Sequence, residues 1–184
     1  MSEEIDEKIE HFENTIWEEF LNTANPKEIH QSVIDSNWDG NEYLMNWIKN
    51  NPNIDKATAL IAYWMSAPRW WKKFKNREDV IAQGQEFQIS GFDFIEEMEQ
   101  KYLAGYWKNS HIECDPANDC EDYDWTSDYL DEKTVREIPT IMFEKLEGEK
   151  VERPDNFVEG LPEIYFQKIS DFIDECDSDS DDDE

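Results

Sequence analysis

Asp55-Lys56-Ala57-Thr58-Ala59-Leu60-Ile61-Ala62-Tyr63-Trp64-Met65 is the stretch whose reading decides the fold. From Ala57 to Ala67 the chain is apolar almost all round, and a helix without a polar face must be enclosed by other elements. This is therefore the central helix of a helical domain. Asp55 is placed to cap it by accepting from the amide of Thr58, and Pro68 ends it. Leu60, Ile61 and Tyr63 neighbour Trp64 at helical spacing, so its ring is expected to be buried. Capping, burial and packing thus account for Asp55, Thr58, Tyr63 and Trp64 as structural residues.

On the N-terminal side, Ile5, Ile9, Phe12, Ile16 and Phe20 follow spacings of 4, 3, 4 and 4, with Trp17 and Leu21 widening the stripe. This predicts an amphipathic helix. Asn25-Pro26 supplies a cap and a first-position proline for a second helix through Ile29, Val33 and Ile34. Asn37-Trp38-Asp39-Gly40 reads as a turn that gives Trp38 and Asp39 structural duties. Tyr43, Leu44, Trp47 and Ile48 then predict a third helix, broken at Asn51-Pro52.

On the C-terminal side, Asn76 caps a long helical segment through Val80, Ile81, Phe87, Phe92, Ile95, Met98 and Tyr102, which Gly84 and Gly91 divide or kink. From Gly105 to about Glu137 the apolar period fades into a turn-rich loop. Ile138 to Leu146 and Leu161 to Ile173 read as helices, the second with Pro162 near its start. Residues 174–184 hold eight acids and no base, too little apolar surface to order themselves, so a disordered acidic tail is expected. The expected fold is mainly α: one helical bundle of about six to seven helices over 1–173, with room for a short strand pair near 106–115, followed by the tail at 174–184.

The chain has 184 residues, and 17 Lys and Arg against 46 Asp and Glu give a formal charge of −29. That field repels DNA, RNA and anionic membranes, so neither nucleic acid nor membrane is expected as a partner. Hydrophobic residues make up only 38%, yet 8 Trp, 7 Tyr and 10 Phe are too many rings for a disordered acidic chain. Three cysteines leave one unpaired in any disulfide scheme. With no basic, apolar leader at Met1-Ser2-Glu3-Glu4 and no long apolar span, the expected location is the cytoplasm.

No catalytic pattern stands out. Asp177, Asp179, Asp181 and Asp183 alternate like calcium-loop ligands, but the required glycine and terminal glutamate are missing. Ser178 and Ser180, each followed by acids, would suit an acid-directed kinase, although the tail is already charged. His111, Glu113, Cys114 and Cys120 have the wrong spacing for a zinc deaminase and fall short of a four-ligand set, so no metal is expected. There is no nucleophile elbow, dinucleotide fingerprint or phosphate loop, and 46 acids make chance carboxylate pairs certain. The expectation is a protein without enzyme activity or cofactor. Arg69 to Arg77 carries five bases among three rings and superficially suggests nucleic-acid binding. The better reading packs Trp70, Trp71 and Phe74 while the basic side chains cover rings and pair with acids.

Asn37-Trp38-Asp39-Gly40, Trp47-Ile48, Asn51-Pro52, the Asp55 to Trp64 run, Pro68 and Lys101-Tyr102-Leu103-Ala104-Gly105-Tyr106 together resemble a bacterial domain-of-unknown-function family of small acidic proteins. The resemblance covers roughly Ser36 to Thr126. Members carry Cys where Ile54 stands here. The family brings no catalytic residues, and its resemblance to genes near toxin loci implies an immunity or antitoxin role.

The expected function is a stoichiometric, non-enzymatic acidic binding protein that covers the basic surface of a cationic partner such as a nuclease toxin. Acids would steer encounter, and rings among them would slow dissociation. The loop Asp115, Asp119, Glu121, Asp122, Tyr123, Asp124, Trp125 and Asp128 is the expected contact region, because acids and rings alternate there outside helical periodicity. Its plainer reading is an acidic surface loop that maintains solubility. An acidic adaptor or chaperone-like protein, holding basic clients through its C-terminal tail, is the alternative.

Overall fold

The computed structural model of the chain describes residues 3–37 and 41–181. Among them are eight α-helices: α1 (Glu3–Thr23), α2 (Pro26–Asp35), α3 (Glu42–Asn50), α4 (Lys56–Met65), α5 (Pro68–Trp71), α6 (Arg77–Ala82), α7 (Ile89–Leu103) and α8 (Glu163–Asp181). Two short strands, β1 (Phe157–Val158) and β2 (Leu161–Pro162), pair antiparallel with Phe157 opposite Pro162. The fold is mainly α. Trp38 and Asp39, expected in a turn, lie outside the described residues.

Residues expected to form one domain group into two compact units, Met1–Leu44 with Pro154–Glu184, and Met45–Arg153. In the first, α8 returns to α1. Phe12 stacks on Phe172 with ring centroids 4.1 Å apart, and Phe20 meets Tyr165 and Phe157 at 5.5 and 6.1 Å. Ile16, Trp17, Leu21, Val33, Leu161 and Ile169 complete this core. Asn25 begins α2 with a full capping box: its side chain accepts from Lys27 and Glu28 amides while Glu28 accepts from its own. The β1–β2 turn closes at Gly160, whose φ of +85° suits glycine. Any Cβ there would lie 2.8 Å from the Ser32 carbonyl oxygen. Ser32 Oγ donates to the Gly160 carbonyl, and Asp35 accepts from its amide, so the turn is fastened to α2.

In the second unit α4 is central, with Ala57 through Trp64 all buried. Asp55 caps it by accepting from the amide of Ala57, not that of Thr58 as expected, and its second oxygen accepts from the His111 amide at 2.7 Å. Trp64 is 1% exposed and donates Nε1–H to the Met142 carbonyl at 2.7 Å. The expected long segment after Asn76 is divided at Gly84, where φ is +75°, into α6 and α7. Gly91 instead lies inside α7, closed on Trp71: a Cβ there would meet the ring at 2.6 Å.

Three other expectations are corrected. No strand pair forms near 106–115; that segment makes isolated bridges from Asn109 to Asp55, Ile112 to Glu149 and Cys114 to Leu146. Its backbone partners are distant in sequence, which local alternation cannot reveal. Ile138 to Leu146 is not a helix. It holds one 3-10 turn, Thr140–Phe143, because the Met142 carbonyl is taken by Trp64 and the Leu146 amide, its helical partner, donates to the Cys114 carbonyl. The tail does not start at Asp174 as a disordered segment: α8 continues to Asp181, where Ser178 Oγ donates to the Asp174 carbonyl, and residues 182–184 lie outside the described residues. The apolar stripe through Ile169 and Phe172 nucleates the helix, and propagation past it costs little per residue.

Candidate functional site

The Asp115 to Asp128 loop is built around one carboxylate. Asp119 Oδ1 accepts from the amides of Glu121 and Tyr123, and its Oδ2 accepts from Trp125 Nε1–H at 2.7 Å. Its own amide donates to the Tyr123 carbonyl. Asp122, with φ +61°, makes the bend within this knot. Asp124 caps the short 3-10 turn Trp125–Ser127 by accepting from the Thr126 amide and hydroxyl. Asp128 accepts from the Tyr123 hydroxyl at 2.6 Å, which pushes that phenol's pKa up. Asp115 accepts from the Ala117 amide, and Glu121 pairs with Arg153 at 2.7 Å.

These acids therefore divide. Asp119, Asp124 and Asp128 spend oxygens holding the loop, whereas Glu121 and Asp122 are exposed. The rings divide too. Trp125 is half-buried and edge-on to Tyr123 at 4.7 Å, while Tyr123 is 46% exposed. Trp125 acts as an internal strut and Tyr123 faces solvent.

The basic run Arg69 to Arg77 reaches this loop through Arg69. Arg69 donates to the carbonyls of Thr126 and Asp128 at 2.8 and 3.1 Å. Lys72, only 3% exposed, bonds Glu99 at 2.6 Å and Glu96 at 3.1 Å. Glu99 also accepts from the buried Tyr63 hydroxyl, whose pKa is driven up by burial and by that carboxylate. Arg136 bonds Glu96 and the carbonyls of Phe74 and Trp71, and the amides of Val135 and Arg136 both donate to the Lys72 carbonyl. Burial raises the Glu96 pKa, but Arg136 and Lys72 outweigh it and hold it low. Lys73 lies over the Trp70 ring, and Arg77 pairs with Asp93. Trp71 and Phe74 pack, Lys73 covers a ring, and Lys72 and Arg77 pair with acids as expected, whereas Arg69 binds backbone carbonyls. The buried Lys72–Glu99–Tyr63 chain was missed; the i, i+3 spacing of Glu96 and Glu99 opposite a basic run was its only signal.

Elsewhere, Glu113 pairs with Lys145 at 3.6 Å. Cys114 is buried, and burial with nearby Asp115, Asp119 and Asp55 keeps its thiol protonated far above the usual range. Burial and Asp119 raise the half-buried Cys120 as well. Such thiols are poor nucleophiles. Among the described residues no group of three or more His, Cys, Asp or Glu is placed to hold a metal ion, and no helix is long and apolar enough to cross a membrane.

Comparison with known families decides what the scaffold is similar to. Residues 24–103 match the model of a family described as Domain of unknown function (DUF4274). The resemblance to a domain-of-unknown-function family rests on this match, which runs from the α2 cap to the end of α7. The matched segment thus contains α4 and the anchors Arg69, Lys72, Glu96 and Glu99, and the loop at 115–128 follows it. No curated protein and no solved structure matches the chain.

Proposed function

We propose that the protein is a non-enzymatic acidic binding protein of the immunity or antitoxin kind, which occupies the basic surface of a cationic partner such as a nuclease toxin. The observation that supports this reading is the pre-formed loop: the Asp119 knot and the two Arg69 bonds fix its backbone while Glu121, Asp122 and Tyr123 remain exposed. A pre-ordered surface loses less entropy on binding than a mobile one. A charge of −29 would raise the association rate with a basic partner.

The test is kinetic. Association and dissociation rates of the full chain with a purified cationic nuclease are measured from low salt to 1 M, alongside Tyr123→Ala and a chain ending at Ile173. Salt should slow association steeply, Tyr123→Ala should speed dissociation tenfold or more, and removal of the tail should change little. If tail removal abolishes binding and Tyr123→Ala leaves it unchanged, the protein is the tail-borne acidic adaptor instead.

A further inference from the structure

The segment beyond Tyr123 carries apolar side chains that the fold leaves outside. Tyr129, Leu130 and Val135 are 47%, 62% and 51% exposed. Tyr129 adopts φ +55°, a left-handed conformation that a bulky side chain rarely takes. The surroundings hold it there. On one side Arg69 binds the carbonyls of Thr126 and Asp128; on the other the Glu132 amide donates to the Tyr129 carbonyl. The Tyr129 ring leans on Trp70 at 5.7 Å, and the Lys72 carbonyl takes the amides of Val135 and Arg136. Residues 129–134 thus form an arch clamped at both ends, and at its start Leu130 and the half-covered Tyr129 ring form an exposed apolar tip.

The tip is continuous with the acidic loop, because Asp128, the residue before Tyr129, accepts from the Tyr123 hydroxyl. From Glu113 to Thr134 the chain has nine acids against a single base, Lys133. An apolar tip in such a field is complementary to one kind of occupant. We propose that Tyr129 and Leu130 are the apolar anchor of the binding surface, and that the occupant is a protein segment in which arginine or lysine side chains flank leucine-like side chains. A purely cationic surface would satisfy the acids but leave the tip wet, and an anionic or neutral apolar surface would lose the charge match. The inference rests on the proposed acidic binding role and adds what sets affinity within it.

Two peptides of equal length and charge serve as probes, one alternating arginine with alanine and the other arginine with leucine. Each is titrated against the full chain and against Tyr129→Asn/Leu130→Ser, whose asparagine suits the left-handed position. Circular dichroism monitors the fold. The native chain should bind the arginine–leucine peptide at least tenfold more tightly, and the double variant should bind both peptides as the native chain binds arginine–alanine. Equal binding of both peptides by the native chain overturns the anchor and leaves the charge reading standing, as does a preference that survives in a folded double variant. If neither peptide binds at low salt, the acidic binding role fails and the anchor with it.

Discussion

His30 shows how one buried side chain sets a pH limit. It is 5% exposed on α2, and burial lowers its pKa to about 4. In the unfolded chain an imidazole binds a proton near pH 6.5, so between 6.5 and 4 the unfolded state holds more protons than the folded one. Stability contributed by this group is therefore complete above pH 6.5 and falls as pH drops, by about 2 kcal/mol at pH 5. Denaturant unfolding at pH 7 and 5 should show that loss in the native protein and a smaller one in His30→Gln. Equal losses would place the titration elsewhere. Trp64 is the contrasting residue, since its burial was legible from Leu60, Ile61 and Tyr63 around it. Its bond to the Met142 carbonyl, 78 positions away, was not.

Helices were legible where an apolar pattern or a cap announces them, the stripe in α1, the cap and stripe in α2, the cap and all-round apolar run in α4, because these signals are local. Long-range partners erased the signal elsewhere: residues 109–114 pair with 55 and with 146–149, and Lys72 finds its acids 24 and 27 positions on. In the candidate loop, alternating acids and rings marked an irregular surface segment, but not which members hold it together. Trp125 looked like an exposed anchor and is a strut on Asp119. The end of α8 offers a test at this scale. Beyond Ile173 it adds acids and no base, which repel one another and the rest of an already acidic chain. Truncation after Ile173 leaves 17 bases against 38 acids, a charge of −21. The shortened protein should melt at the same temperature or slightly higher, as read by circular dichroism. A clear fall would mean that the last turns of α8 hold stabilising contacts.

Across the whole molecule, two electrostatic effects oppose each other when salt is added. Exposed pairs such as Lys168–Glu19, Arg77–Asp93 and Arg153–Glu121 are weakened, but each is worth only about 0–1 kcal/mol. The Lys72–Glu99 pair, nearly closed to solvent, is screened far less. Against these small losses stands the self-repulsion of a chain with a charge of −29, which acts between many acids at once and favours expansion. Shrinking the Debye length from about 10 Å at 0.1 M to about 3 Å at 1 M removes most of that repulsion. The repulsive sum should win. Tm should therefore rise with NaCl, by about 2–4 °C for each kcal/mol of repulsion relieved. KCl should match NaCl, because screening depends on ionic strength, whereas sulfate adds a surface-exclusion effect of its own. A Tm that falls in both chlorides would mean that the ion pairs outweigh the net charge.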